Sequence, residues 1–335
     1  MRRRDFIAGL MFAAAMGRAH AQSTGKVYRI AFAHSSVPVT DQNQASRGSL
    51  VIPAIFEELL RLGYVEGRNL LIERYSGEGR AAHYPDLVRQ IVSQNPDLII
   101  TIISKSFMLD LKAATSTIPV VGVFTDPVGD DIVPSLARPA GNITGVTVNV
   151  GWEQWAKRIQ LLKEAVPQIS RLGILTVRGN VSEQFSAGMR EGALKNSVSV
   201  VGPPLERPTS EPEYHRVFSA LAREGADGLI VSEETENVTN RRLIVELAEK
   251  GRLPTIYPYR QFVEAGGLMS YGADNSDVGH RVADLADKIL KGAKPGEIPI
   301  FQPTQFELSI NLKTAKTLGI ELPPLLVARA DKVIE

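Results

Sequence analysis

Short apolar runs that stop at small polar residues recur from one end of the chain to the other. The clearest is Val120-Val121-Gly122-Val123-Phe124, which has no polar alternation and ends at Thr125-Asp126-Pro127. Such a run suits a strand buried on both faces of a parallel sheet. In open α/β sheets ligands bind at the carboxyl ends of the strands, so this polar stop is the first candidate site. A breaker segment, Arg138-Pro139-Ala140-Gly141-Asn142, precedes a second β-rich run at residues 143–150. That run lies mid-chain, where a crossing into a second lobe belongs.

The periodicity predicts a strand at residues 27–33 that ends at His34-Ser35-Ser36. A helix follows at 49–62, with Ile52, Ile55, Phe56, Leu59 and Leu60 on one face and Gly63 at a left-handed cap. Next come a strand at 69–74, a helix at 84–94, a strand at 98–103 ending at Ser104-Lys105-Ser106, and a helix to about residue 114. The second half repeats the order. It has helices at 152–165, 183–195, 213–223 and 240–250, alternating with strands at 171–176, 198–201, 228–231 and 255–257. A strand at 268–271, a helix at 278–291, a strand at 307–311 and a helix at 312–318 follow; beyond residue 321 there is little periodicity. The order predicts an α/β protein of two doubly wound, parallel-sheet lobes.

Composition narrows the class. The chain has 335 residues, 44% hydrophobic and 22% charged, enough for two lobes with separate cores. With no Cys there are no disulfides and no thiolate chemistry. Arg2-Arg3-Arg4-Asp5-Phe6-Ile7 leads into an apolar stretch too short to span a bilayer, and Ala19-His20-Ala21 offers a small-x-small cleavage site. This is the pattern of a signal peptide cleaved after about Ala21, and its paired Arg fits either the twin-arginine or the general secretory route. Losing residues 1–21 removes four Arg and one Asp, taking the formal charge from +1 to −2. Nothing in that balance points to nucleic acid.

The strand tips carry the candidate chemistry: Ser35-Ser36, Ser104-Lys105-Ser106, Thr125-Asp126, Asn180-Val181-Ser182, Ser232-Glu233-Glu234 and Tyr271-Gly272-Ala273-Asp274. Facing one another across a cleft, they would suit a small polar or zwitterionic ligand. Helix N-termini hold a carboxylate and acidic side chains an ammonium. Each such residue also serves as an ordinary helix N-cap. No G-x-S-x-G, H-E-x-x-H or G-x-x-x-x-G-K-[ST] motif is present, and His20, His34, His83, His215 and His280 lack metal-ligand spacing. His34 reads as a solvent-facing loop residue or a ligand contact. Tyr257, Tyr259 and Tyr271 would stack on a planar ligand or pack the core, and Trp152 and Trp155 read mainly as packing.

Several stretches together resemble the periplasmic substrate-binding components of ABC uptake systems, in the group that includes tryptophan- and tyrosine-binding proteins. They are Thr125-Asp126-Pro127-Val128, the run from Ser135 through Gly141-Asn142-Ile143-Thr144-Gly145, Glu264-Ala265-Gly266-Gly267-Leu268-Met269-Ser270-Tyr271-Gly272, and Ile289-Leu290-Lys291-Gly292-Ala293-Lys294-Pro295. The run from Gln302-Pro303 through Ala315-Lys316 and Ala328-Arg329-Ala330-Asp331 continue the likeness. The resemblance implies a type I periplasmic-binding fold with two Rossmann-like lobes and a three-strand hinge. It places residues 27–145 and 267–301 in the first lobe, 146–266 and 302–327 in the second, and 328–335 in a tail. The hinge crossings are expected at 145–148, 264–267 and 300–303.

The implied function is that of an exported, monomeric, periplasmic solute-binding protein. It would bind a carboxylate-bearing ligand between the lobes and deliver it to an ABC permease in the cytoplasmic membrane, with no cofactor, no metal and no catalysis. The expected contacts are Ser36, Ser104, Thr125, Asp126, Asn180, Ser182, Glu234 and Tyr271. The hydroxyls would hold the carboxylate, Asp126 or Glu234 an ammonium, and Tyr271 the planar part. Ser104-Lys105-Ser106, Arg178 to Gln184 and Ser232-Glu233-Glu234-Thr235 depart from the family's usual tips. An aromatic carboxylate that engages Lys105 therefore stands beside an aromatic amino acid as ligand. A sensing module for a membrane receptor, or an enzyme on the same scaffold, would use the same cleft.

Overall fold

The computed structural model describes residues 26–43, 51–102, 104–148, 152–179 and 183–335. Residues 1–21, where a signal peptide is expected, and Asn180 and Ser182 lie outside them. In the first lobe β1 (Tyr28–His34), α1 (Val51–Arg61), β2 (Leu70–Ser76), α2 (Tyr84–Ser93), β3 (Leu98–Ile102), α3 (Lys105–Ala114), β4 (Val120–Phe124) and β5 (Ile143–Thr147) alternate. They form a parallel sheet of order β2-β1-β3-β4-β5. β3, β4 and β5 are buried at every position, which is why their sequences lack alternation. Gly63 ends α1 with φ +93, and the Tyr64 amide donates back to Leu59 at 2.9 Å, the expected left-handed cap.

The second lobe comprises α4 (Trp152–Ala165), β6 (Arg171–Leu175), α5 (Glu183–Lys195), β7 (Ser199–Val201), α6 (Glu211–Arg223), β8 (Gly228–Val231), α7 (Thr235–Thr239), α8 (Arg241–Lys250), β9 (Thr255–Tyr257), α9 (Arg260–Glu264) and β10 (Met269–Ala273). Later come α10 (Asn275–Leu290), β11 (Phe306–Asn311), α11 (Leu312–Leu318), α12 (Pro324–Ala328) and β12 (Lys332–Ile334). The second sheet runs β7-β6-β8-β9-β10-β11-β12, with only the β10–β11 pair antiparallel. Its first five strands repeat the order of the other sheet.

Two boundaries differ from expectation. Residues 269–273 pair with β9 and β11, so β10 belongs to the second sheet and not to the first lobe. Gly266-Gly267 does not cross between lobes. Gly266 has φ +109 and the Gly267 amide donates to Phe262 at 2.8 Å, a helix cap that closes α9. The chain crosses at Asp274 instead, whose side chain caps α10, and α10 packs Val278, Val282 and Ala286 into the first lobe's core beside Ile52 and Ile55. The other crossings follow β5 and Phe301, where Phe301 bridges Val146 at the edge of the first sheet. The last residues are no free tail, because β12 pairs with β11 and Asp331 accepts the Leu308 amide at 2.8 Å.

Candidate functional site

Both strand orders reverse beside the first strand of their lobe, and these switch points face one cleft. A cavity of about 920 Å³ lies there, at the upper end of small-molecule sites. From the first lobe it is lined by Ser36, Ser104, Lys105, Thr125, Asp126 and Asp130, by apolar Met108, Leu109, Phe124 and Ile132, and by Arg80, His83 and Tyr84. From the second it is lined by Trp155, Gly179, Arg207, Ser210 and the run Ser232 to Glu236. The lobes touch across it, since the hydroxyls of Ser36 and Thr239 are 3.1 Å apart.

The structure thus brings Ser36, Ser104, Thr125, Asp126 and Glu234 of the sequence candidates to one cavity. Ser104 is also an N-cap, its hydroxyl accepting the Phe107 amide of α3 at 3.3 Å. Asp126 accepts the Gly129 amide at 2.9 Å and has no cation paired with it among the described residues. Lys105 is engaged already: its ammonium lies 2.8 Å from Asp130, so it meets a carboxylate of the protein before one of the ligand.

Glu234 is tied down differently. Thr176 donates to its Oε1 at 2.6 Å, the Val177 amide at 3.2 Å, and the Asn237 amide to its Oε2 at 3.2 Å. Burial pushes its pKa up to about 8 despite these donors. The contact with Ser232 fits a protonated carboxyl. The Ser232 hydroxyl is shared between Glu234 Oε2 and the Leu175 carbonyl, the latter at 3.0 Å. A neutral, internally bonded Glu234 joins the tips of β6 and β8 and is poorly suited to hold an ammonium.

Tyr271 does not line the cavity. Its ring stacks on Phe306 with centroids 5.6 Å apart in the core of the second lobe, a consequence of β10 lying in the second sheet. Tyr257 likewise stacks on Phe262 at 5.0 Å. His34 is buried, not solvent-facing. Its Nδ1 accepts the amides of Ser36 and Val37 at 3.1 and 3.0 Å, and burial lowers its pKa to about 4, so a neutral imidazole shapes the β1 turn.

Sequence reasoning missed Tyr84 and Arg207 as cavity residues, placed Glu233 at a cleft tip without choosing it as a ligand contact, and read Trp155 mainly as packing. Tyr84 opens α2 and reads as a helix residue, while Arg207 comes from the segment between β7 and α6, which apolar runs do not mark. Glu233 was visible as a tip residue beside Glu234, but its partner Arg158 lies far away in sequence. The Arg158 Nη1 is 2.6 Å from Glu233 Oε1, with side chains 0% and 2% exposed. Among the described residues no cluster of His, Asp and Glu forms a metal-binding group.

Two α/β lobes with a polar cleft at both switch points define the architecture of a periplasmic-type binding protein. Residues 49–334 match the family of ABC transporter substrate binding proteins, and the chain belongs to that family. A tyrosine-binding protein of Clostridioides difficile is 26% identical over 261 residues, covering 77% of this chain and 73% of the relative. A conserved domain protein from Vibrio cholerae matches with TM-score 0.81 and 24% identity, covering 92% of this chain and all of that one. A Streptococcus pneumonia domain solved in complex with L-Trp matches with TM-score 0.79 and 24% identity over 92% of this chain and 99% of its own.

Proposed function

We propose that this chain is the exported, periplasmic solute-binding component of an ABC importer, with residues 1–21 as its signal peptide. It takes a small carboxylate-bearing ligand with a planar apolar body and presents it to a membrane permease. The observation that carries the reading is the cavity itself, closed by strand tips of both lobes so that ligand and lobe closure are linked. Ser36, Ser104, Thr125 and the α3 N-terminus face the carboxylate, Asp126 faces an ammonium, and Phe124, Tyr84 and Trp155 offer the apolar walls. Asn180 and Ser182, which lie outside the described residues, are proposed as further ligand contacts from the sequence. A relative named for tyrosine and a structural neighbour holding L-Trp support an aromatic amino acid or a related carboxylate.

A thermal-shift screen of the protein against amino acids, aromatic carboxylates, nucleosides and sugars tests this. A ligand at several hundred times its Kd adds roughly 3–4 kcal/mol to the folded state. Stabilisation by aromatic amino acids or aromatic carboxylates is expected, and a shift with sugars or nucleosides alone would overturn the ligand class. Asp126→Ala should weaken binding of an amino-acid ligand at least tenfold without unfolding the protein.

A further inference from the structure

The second lobe places an ion pair where ion pairs are costly. Apolar residues of similar volume often stabilise a buried position as well as a charge pair does, so Arg158 and Glu233 are not explained by stability alone. Arg158 is fixed from several sides. It sits on α4, its Nε donates to the Tyr271 carbonyl on β10 at 2.7 Å, and its guanidinium lies 5.4 Å from the Trp155 ring centroid.

Nearby polar groups are left open. The Arg158 Nη2, the Tyr259 hydroxyl and both amide atoms of Gln154 are buried with no hydrogen-bond partner among the described residues. Buried polar atoms are nearly always paired, so open ones around the Arg158–Glu233 pair are a cost that stability does not explain. Glu233 and Trp155, which both lie against the Arg158 guanidinium, line the cavity, and the guest meets them first. The adjacent Glu234 cannot take the role, because its carboxyl is occupied by Thr176, Ser232 and Asn237.

We propose that Arg158 is a specificity-determining positioning residue: it pins the Glu233 carboxylate at the cleft wall to accept an N–H donor of the ligand. The site then discriminates carboxylates that carry an amino group from the same molecules without one. This deepens the proposed function and rests on it. The physical basis is the asymmetry of buried hydrogen bonds. A ligand lacking the donor leaves a desolvated acceptor unpaired, which costs more than the missing contact itself.

The test is calorimetric titration of L-tryptophan, L-tyrosine and their des-amino analogues, 3-(indol-3-yl)propionate and 3-(4-hydroxyphenyl)propionate. The wild type should prefer the amino acids at least tenfold. With Asp126 still in place, Glu233→Gln should reduce that preference at least threefold, and Arg158→Lys should retain it. The double variant Arg158→Met with Glu233→Leu replaces the pair by apolar volume, which buried sites tolerate, and should show the same reduced preference. A full preference in Glu233→Gln or in the double variant overturns the inference, as does a wild type that binds both series equally. Binding of none of the probes by the wild type overturns the ligand reading itself and the inference with it.

Discussion

After β1, β3 and β4 the first lobe presents Ser36, Ser104, Thr125 and Asp126 to the cleft, each engaged by at most a short local or capping contact or, for Ser36, by Thr239 across it. After β8 the second lobe presents Glu233 and Glu234, both held by partners on other elements. The strand order around the two switch points is the same. Topology therefore fixes where a ligand sits, while the tip residues decide how each wall behaves. The first lobe offers hydroxyls that can exchange partners when a ligand arrives. The second offers a prearranged wall whose polar groups are held in place, and prearrangement favours selectivity because little ordering remains to be done on binding.

The contrast is broken most severely at the ion pairs. Arg158→Ala leaves Glu233 buried without its partner and should cost about 3–5 kcal/mol in urea unfolding. Lys105→Ala removes the corresponding pair of the first lobe, where Lys105 is 36% exposed, and should cost roughly 0–1 kcal/mol. Equal losses at the two sites would mean that the second lobe's wall is no more fixed than the first's.

A smaller effect comes from Glu234. Its carboxyl keeps a proton up to about pH 8 in the folded protein, against 4.5 as the ordinary value. The folded state binds the proton more tightly than the unfolded one. The resulting stabilisation is complete below pH 4.5 and is lost as the pH rises through 8. Glu234→Gln mimics the neutral acid and can still accept from Thr176. Its denaturation midpoint should fall less than the wild type's between pH 5 and 8, and at pH 8 the variant should be the more stable. Parallel pH curves would show that Glu234 is ionised in the fold and available to a cation.

Much of this architecture was legible in the sequence because buried parallel strands leave unbroken apolar runs. The stops after β1, β3, β4 and β8 mark the cleft directly. Gly266-Gly267 misled for a physical reason: glycines cap helices and permit hinges through the same conformational freedom, and only the backbone pairing of β10 distinguishes the two. The wall of the second lobe was hidden for another. Arg158 reads as one charged residue among several on α4, and its wholly buried contact with Glu233 follows from how α4 lies against the sheet. Charge at an apparently solvent-facing helix position carries no local sign of burial.

Tyr271 sets the lower limit of the comparison. It adjoins the cleft network through its main chain, which accepts from Arg158, while its ring is stacked on Phe306. The side-chain hydroxyl takes no part in that link. Tyr271→Phe should therefore leave ligand affinity within about twofold and stability within about 0.5 kcal/mol of wild type. Isothermal titration with whichever ligand the thermal screen identifies provides the check. A tenfold loss would put the phenol in the cleft and give the second lobe an adaptable contact of the kind found in the first. An unchanged affinity leaves Tyr271 joined to the ligand wall through Arg158, by a backbone carbonyl that no side-chain substitution at position 271 removes.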